Sequence, residues 1–323
     1  MYLGIEIGGT KLQVGLGAND GRLAGLWRGT VDVARGGEGI RGQLARAVPE
    51  LLASANVSRD RVRGLGIGFG GPVDDRTQSV IKSHQIQGWD NFPLGPWLGE
   101  ALGIPTVLGN DADSAALAEG TVGAGKGMDP VFYMTIGSGI GGGLLIGGRI
   151  ARGTGCGAAE IGHLKVRDPR EADGRLDTLE NIASGWGIEK RAKFLAAQFP
   201  ARAARLSQLA GTAAKITGQT VATAARDGDP LALEVLDDVV TALSDALCAV
   251  IVLVCPQRFV IGGGVSLMGE ELIFGPLRKK VAEKVFAPFA GLTDIVPAEL
   301  GEEVVVHGAI ALAATTFGKA PAP

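Results

Sequence analysis

A two-lobed α/β protein is the fold class this sequence predicts, and three observations point to it. The chain has 323 residues, more than one core usually serves, so two core-bearing lobes of about 110 to 190 residues and a cleft between them are expected. Apolar strand-like runs alternate with segments whose apolar residues recur at helical spacing. One layout also occurs twice. Ile136-Gly137-Ser138-Gly139 stands 129 residues after Ile7-Gly8-Gly9-Thr10, and each lies between two apolar runs, which implies an internal duplication of architecture.

The first element is a hairpin. A β run from Leu3 meets Gly8-Gly9-Thr10-Lys11 and alternates again through Leu12, Val14 and Leu16. A helix is expected around Gly39 to Ala55, then a strand at Val62 to Ile67 and a loop from Gly68 to Asp74, in which Pro72 bars a helix. A short strand from Ile104 to Leu108 leads through Gly109 into an alanine-rich helix ending near Glu119, with Asn110 and Asp111 at its N-terminus. The second hairpin spans Val131 to Ile146. Helical spacing then covers Thr178 to Phe199, Thr212 to Ala225 and Pro230 to Val254. A strand from Arg258 to Ile261 ends in Gly262-Gly263-Gly264, and an apolar helix from Val304 to Thr316 closes the chain. The expected smaller lobe takes residues 1–116 with about 304–323, and the larger one 117–303.

Composition narrows the function classes. With 46% hydrophobic residues, 20% charged residues and a net charge of -3 from scattered Lys and Arg, the chain shows no footprint for nucleic acid or an anionic membrane. A small-molecule partner is expected. Met1 to Ile5 already reads as a strand with no basic region before it, from which a cytoplasmic location is expected. The longest apolar stretch, Ala246 to Cys255, is too short to span a bilayer and reads as a buried helix end. Cys156, Cys248 and Cys255 lack framework spacing and are expected to be reduced thiols acting as small core residues. The 52 glycines cluster directly after strand-like segments, where backbone must approach a ligand closely, and phosphate is the usual one.

Three formal motif matches compete. Gly137 to Gly142 fits G-x-G-x-x-G after a strand, with Glu160 near the distance of a ribose-binding acid, which is the case for a dinucleotide-dependent oxidoreductase. Such a loop must open a helix, whereas Gly143 to Gly148 reads as strand and turn. Gly66 to Gly71 also fits but is stopped by Pro72. Gly120 to Lys126 resembles a P-loop, yet Gly127 stands where Ser or Thr is needed and a helix precedes it. What remains is two glycine hairpins and the turn at Gly262 to Gly264, whose consecutive N–H groups form anion-binding concavities. Tight β turns alone account for any one of the three; together they suit a nucleotide.

Ile7-Gly8-Gly9-Thr10-Lys11, Gly109-Asn110-Asp111-Ala112-Asp113-Ser114-Ala115-Ala116-Leu117, Thr135 to Gly143, Glu160-Ile161-Gly162-His163 and Ile261 to Val265 form an ordered series over nearly the whole chain. The series resembles that of the ROK sugar kinases (repressors, open reading frames and kinases). Gln87 to Leu94 resembles that family's loop into the short helix beside the sugar site. The resemblance implies an actin-like ATPase (ribonuclease H-like) α/β fold whose two lobes enclose an active-site cleft. It further implies an ATP- and Mg2+-dependent hexose kinase, with glucose the default acceptor, acting as a homodimer. Asp111 would be the catalytic base; the residues alone leave it between that role and a helix N-cap. Asn110, Asp111, Glu160, His163 and Glu180 would contact the sugar, with backbone at Gly71 as the pocket floor. Gly8, Gly9, Thr10 and Lys11 would face ATP from one side, Gly137, Ser138 and Gly139 from the other, and Gly263 and Gly264 the nucleoside. Hairpin amides suit polyphosphate as a donor as well as ATP.

The chain departs from the family in three places. Many members hold a structural zinc with one His and three Cys, but Glu171, Asp173 and Thr178 stand at the cysteine positions, so no zinc is expected and the loop from Asp168 to Asp177 reads as solvated. Loss of that loop's metal leaves His163 less rigidly placed. Glu6 stands where the family has the cation-facing Asp; its extra methylene moves the carboxylate by about 1.5 Å, within reach of magnesium through water. Gly70 replaces a common Pro and is expected to loosen the sugar-pocket loop. The family's repressors add a helix-turn-helix ahead of the first hairpin, which is not seen here, so DNA recognition is not expected. A sugar sensor without turnover is the other reading within the family.

Overall fold

The computed structural model describes residues 1–83, 86–154 and 157–318. Cys156 lies outside the described residues. The chain opens with strands β1 (Tyr2–Ile7), β2 (Lys11–Gly17) and β3 (Leu23–Thr30). Helix α1 (Gly36–Ser54), β4 (Gly64–Phe69), the short β5 (Val73–Asp74) and β6 (Ser79–Val80), α2 (Leu94–Leu102), β7 (Thr106–Asn110) and α3 (Asp111–Val122) follow. Next come β8 (Val131–Ile136), β9 (Ile140–Ile146), β10 (Arg149–Ile150), β11 (Lys165–Arg167) and β12 (Leu176–Thr178). A helical stretch holds α4 (Leu179–Ala183), α5 (Gly185–Gln198), α6 (Ala204–Ala210), α7 (Gly218–Arg226) and α8 (Pro230–Val254). Strand β13 (Arg258–Gly262), α9 (Gly275–Lys284), β14 (Asp294–Pro297) and α10 (Val304–Phe317) end the fold.

One sheet runs β3-β2-β1-β4-β7 and a second runs β10-β9-β8-β13-β14. Counted by order of appearance, both read 3-2-1-4-5. In each, the third strand extends the hairpin antiparallel, and the first, fourth and fifth strands pair in parallel. The duplication suggested by two glycine hairpins therefore extends to a whole sheet. The chain divides into two compact units, Met1–Met128 with Gly143–Ala158 and the segment from Glu299 on, and Asp129–Gly142 with Ala159–Ala298. Helix α3 runs through the 116/117 position and lies wholly in the first unit.

In the first unit, β1 is buried at every position and its residues divide by the strand period of two. Leu3, Ile5 and Ile7 join Ile40, Leu44 and Ala47 of α1 in one cluster, whereas Tyr2 joins Val306, Ile310 and Ala313 of α10 in another. Helix α10 lies on its face at backbone contact. A Cβ at Gly66 would overlap the Ala309 carbonyl, and one at Gly308 the Ser114 carbonyl, so only glycine permits this approach. In the second unit α8 begins where Asp229 accepts hydrogen bonds from Leu231 N and Ala232 N at 2.9 Å, with Pro230 in the first turn.

The structure corrects several sequence expectations. The helix expected over Thr178 to Phe199 breaks at Ser184, which leaves helical geometry (φ -68°, ψ 163°) and caps α5 through Gly187 N. From Thr212 to Ala225 only α7 is α-helical; Thr217 caps it, and Ala213–Lys215 is a 3-10 turn. The apolar end of α8 is only partly buried: Ala246, Leu247, Val250 and Ile251 face the core, whereas Val252 and Leu253 rotate off that stripe and are 50% and 83% exposed. Cys248 and Cys255 are half-buried rather than core. Among the described residues no helix is long and apolar enough to cross a membrane.

Candidate active site

The first unit gathers Glu6, Gly8, Gly9, Thr10, Lys11, Gly71, Asn110 and Asp111 around the C-terminal ends of β1, β4 and β7. The β1–β2 turn closes through Gly8 N donating to Lys11 O at 2.9 Å, and Gly70 N donates to Ile7 O at 2.9 Å. A proline has no N–H to donate, so Gly70 ties its loop to the β1–β2 hairpin instead of loosening it. Asn110 is the N-cap of α3. Its Oδ1 accepts from Ala112 N at 2.8 Å and Asp113 N at 3.2 Å, and its Nδ2 donates to Gly71 O at 3.1 Å. Capping thus falls to Asn110, and Asp111 occupies the first helical position. Asp111 Oδ1 accepts from Ala112 N at 2.9 Å. Its Oδ2 faces the turn at Gly70, where a Cβ would stand 3.5 Å from it and 3.6 Å from Gly8 Cα. Gly8, Gly9 and Gly70 line one recess together with Ile7, Phe69, Ser83 and Ile86.

Glu6 lies beside this recess, 9% exposed, with Oε1 3.9 Å from Lys11 Nζ and Oε2 buried without a hydrogen-bond partner. Burial pushes its carboxyl up to about 7; the Lys11 ammonium opposes the rise, and the charges of Asp111, Glu302 and Glu303 add to it. An orphaned buried carboxylate oxygen near a second carboxylate and glycine turns fits Mg2+, which takes one or two carboxylates and completes its shell with phosphate oxygens and water.

The rise from 4.5 to about 7 favours protonated Glu6 in the fold by about 3 kcal/mol. That contribution is fully present below pH 4.5 and lost as pH rises through about 7. In the absence of ligands Glu6→Gln is therefore expected to be more stable than wild type at pH 8, by up to about 3 kcal/mol, with the gap closing toward pH 5. Urea titrations at the two pH values measure it, and a gap independent of pH would contradict the burial account.

The second unit gathers Gly137, Ser138, Gly139, Glu160, His163, Glu180, Gly263 and Gly264. The β8–β9 turn closes through Gly137 N donating to Gly139 O at 2.9 Å, and Val265 N donates to Ile136 O at 3.0 Å, which sets the Gly262–Gly264 turn beside it. Helix α5 starts at the same turn, with Gly185 N donating to Gly137 O at 2.8 Å. Glu180 Oε2 accepts from Ile140 N at 2.8 Å and leaves no room for a side chain at Gly139. Glu160 is the centre of an inverse γ-turn (φ -69°, ψ 60°) closed by Ile161 N and Ala159 O at 2.6 Å. His163 follows on a 3-10 turn that brings residues three apart onto one side, and both Glu160 and His163 are exposed.

A pocket of about 890 Å³ opens at this hairpin. Gly137, Ser138 and Gly264 line one part, while Trp186, Ala222, Val265, Leu267 and Met268 make an apolar part. Gly263 is not among the lining residues. Sequence reasoning missed the contributions of α5 and α7. The available signals were Ser184-Gly185 and Thr217-Gly218, each a capping residue followed by a glycine that opens a helix.

The segment from Asp168 to Asp177 is exposed at Glu171 to Asp173, Arg175 and Leu176, as expected of a solvated loop, but its base is tied down. Asp168 is 3% exposed, and Arg170 Nε and Nη2 donate to its two oxygens at 2.7 and 2.6 Å. Arg170 Nη2 also reaches Asp177 Oδ2 at 3.2 Å, and Nη1 reaches Asn181 O at 3.3 Å. Burial raises the Asp168 carboxyl, but the hydrogen bonds and charge of Arg170 outweigh it and hold the group below its ordinary value. Of the positions matched to zinc cysteines, Asp173 accepts from Arg175 N at 2.9 Å, Thr178 caps α4 and Glu171 is exposed. Among the described residues no group of three His, Cys, Asp or Glu comes together that could hold a metal.

Comparison with known proteins places this geometry. Residues 2–316 match the model of the ROK family. The glucokinase of Thermotoga maritima is 33% identical over 320 residues, covering 98% of each chain. A ROK family glucokinase from Streptomyces griseus, solved in complex with glucose and AMPPNP, is 32% identical with a TM-score of 0.80 and covers 97% of this chain and 99% of its own. The ROK hexokinase of Thermus thermophilus is 28% identical with a TM-score of 0.81, over 99% of both chains. The α/β fold is thus the actin-like one expected, and the chain belongs to the ROK family.

Proposed function

We propose that this protein is an ATP-dependent hexose kinase with glucose as its preferred acceptor. The observation that carries the reading is the division of labour at the start of α3: Asn110 caps the helix, and Asp111 turns Oδ2 toward the recess of Gly8, Gly9 and Gly70. A helix N-terminus favours negative charge, which suits a carboxylate base there. In this mechanism the sugar hydroxyl loses its proton to Asp111 while its oxygen bonds to the γ-phosphorus; the bond to the bridging oxygen breaks, and ADP leaves. Gly8 to Lys11 and Gly137 to Gly139 hold the phosphates, Gly264 serves the nucleoside while Gly263 shapes the turn behind it, and Asn110, Glu160, His163, Glu180 and backbone at Gly71 orient the sugar. Magnesium, when bound with the nucleotide near Glu6, offsets charge on the transferring phosphoryl group.

The apolar part of the 890 Å³ pocket favours a nucleoside donor over polyphosphate, which needs no such surface. A homodimer in the cytoplasm accompanies this reading on family resemblance. ADP release coupled to oxidation of a reporter with ATP, and hexose phosphate formation with polyphosphate, each run over glucose, mannose, fructose and N-acetylglucosamine, test it. The highest kcat/KM is expected for glucose with ATP. A release rate that no hexose raises would remove the kinase assignment, and binding of glucose by calorimetry without turnover would favour a sensor.

A further inference from the structure

Strands β11 and β12 form a hairpin whose two roots carry the sugar-facing side chains. His163 precedes Leu164 at one root and Glu180 follows Leu179 at the other, and Leu179 N donates to Leu164 O at 3.0 Å. At the tip, Asp168 N donates to Arg175 O at 2.8 Å. Arg170, on the turn between the strands, folds back across the hairpin: its fork grips buried Asp168, and its remaining donors reach Asp177 and the Asn181 carbonyl in the first turn of α4. Asn181 Nδ2 donates to Asp177 Oδ1 at 2.8 Å and completes the ring. Glu180 sits within that turn, and its Oε2 holds Ile140 N of the phosphate hairpin.

We propose that Arg170 is a positioning residue for hexose recognition, whose guanidinium locks the hairpin tip onto α4 and so fixes Glu180 and His163 relative to each other. The inference rests on the hexose-kinase reading above. Arginine suits the task because one planar fork satisfies a carboxylate in two places while a third nitrogen reaches another acceptor; lysine offers a single point charge. Asp168 is buried and has no room to reach water, so the partner cannot be dispensed with.

The test compares wild type with Arg170→Gln, Arg170→Lys and Asp177→Asn, reading glucose KM, kcat, ATP KM and melting temperature. Arg170→Gln is expected to raise glucose KM by about tenfold or more and ATP KM by less, because α5 and α7 line most of the nucleotide pocket and the Glu180–Ile140 bond alone ties the lock to its hairpin. Arg170→Lys should recover part of the loss, and Asp177→Asn should show a smaller shift of the same kind. A merely structural role would lower the melting temperature and leave the folded fraction with wild-type glucose KM, and that result would overturn the proposal. If Arg170→Gln fails to fold, Arg170→Lys and Asp177→Asn decide the matter by the same criterion. Should wild type phosphorylate no hexose, the kinase reading fails separately. Amide exchange at Ile140, whose N–H is held by Glu180, then reads the lock alone: faster exchange in the variants supports it and unchanged exchange overturns it.

Discussion

Asp111→Asn is expected to lower kcat by about 10³-fold, within the 10²- to 10⁴-fold range of general-base catalysis, while glucose and ATP affinities stay within about threefold. The substitution is close to isosteric. An asparagine at the first position of α3 can still accept from Ala112 N through its amide oxygen, so the helix start keeps its geometry. What it loses is the ability to take a proton at the atom that faces Gly70 beside the β1–β2 hairpin. Binding should survive because sugar hydroxyls can donate to an amide oxygen as they do to a carboxylate. Coupled ADP release gives kcat, and calorimetry gives the two affinities. A kcat within tenfold of wild type would place the base elsewhere.

Glu119→Ala is expected to destabilise the first unit by about 3 to 5 kcal/mol. The side chain is fully buried near the end of α3. One oxygen accepts from Glu299 N at 3.0 Å and Leu300 N at 2.9 Å, and the other accepts from Ala124 N at 2.8 Å. A single carboxylate thus ties the end of α3 to two backbone segments, Ala124 after the helix and Glu299–Leu300 ahead of α10. Truncation leaves those amides without their acceptor. Burial raises the Glu119 carboxyl despite the opposing backbone hydrogen bonds, so the charge itself is not favoured there. Glu119→Gln, which keeps one acceptor oxygen for two of the amides, should therefore cost less, about 1 to 2 kcal/mol. Urea midpoints order the three proteins. Equal midpoints for wild type and Glu119→Ala would show that the clamp carries no stability.

Local chemistry explains what the sequence showed in advance. The two hairpins were legible because a glycine turn between alternating apolar runs has few other conformations, and α8 was legible from Asp229 and Pro230 at one end and its apolar spacing throughout. Asn110 and Asp111 were legible as a helix start; only the hydrogen bonds divide the cap from the base. Elements with weak apolar patterns escaped notice. Helix α9 buries only Leu277 and Val281, and β3 is half-exposed along its length. The break at Ser184 was hidden by helical spacing that continues across it, although Ser184-Gly185 is itself a capping signal.

Charged residues misled most, and for one physical reason. Asp168, Arg170 and Asp177 read as a solvated charge run, and Glu119 as the polar end of an alanine-rich helix, because sequence does not reveal which charges the tertiary fold will pair and bury. Glu6 differs: its position in a fully buried strand was readable, whereas the isolation of Oε2 follows from three-dimensional surroundings.

Phosphorus NMR of the purified protein with ATP, magnesium and glucose reads phosphoryl transfer from ATP to a hexose directly. A hexose monophosphate signal is expected to grow one for one with ADP and to be absent in Asp111→Asn on the same timescale. ADP accompanied by inorganic phosphate alone, or ATP left intact with glucose present, would contradict it.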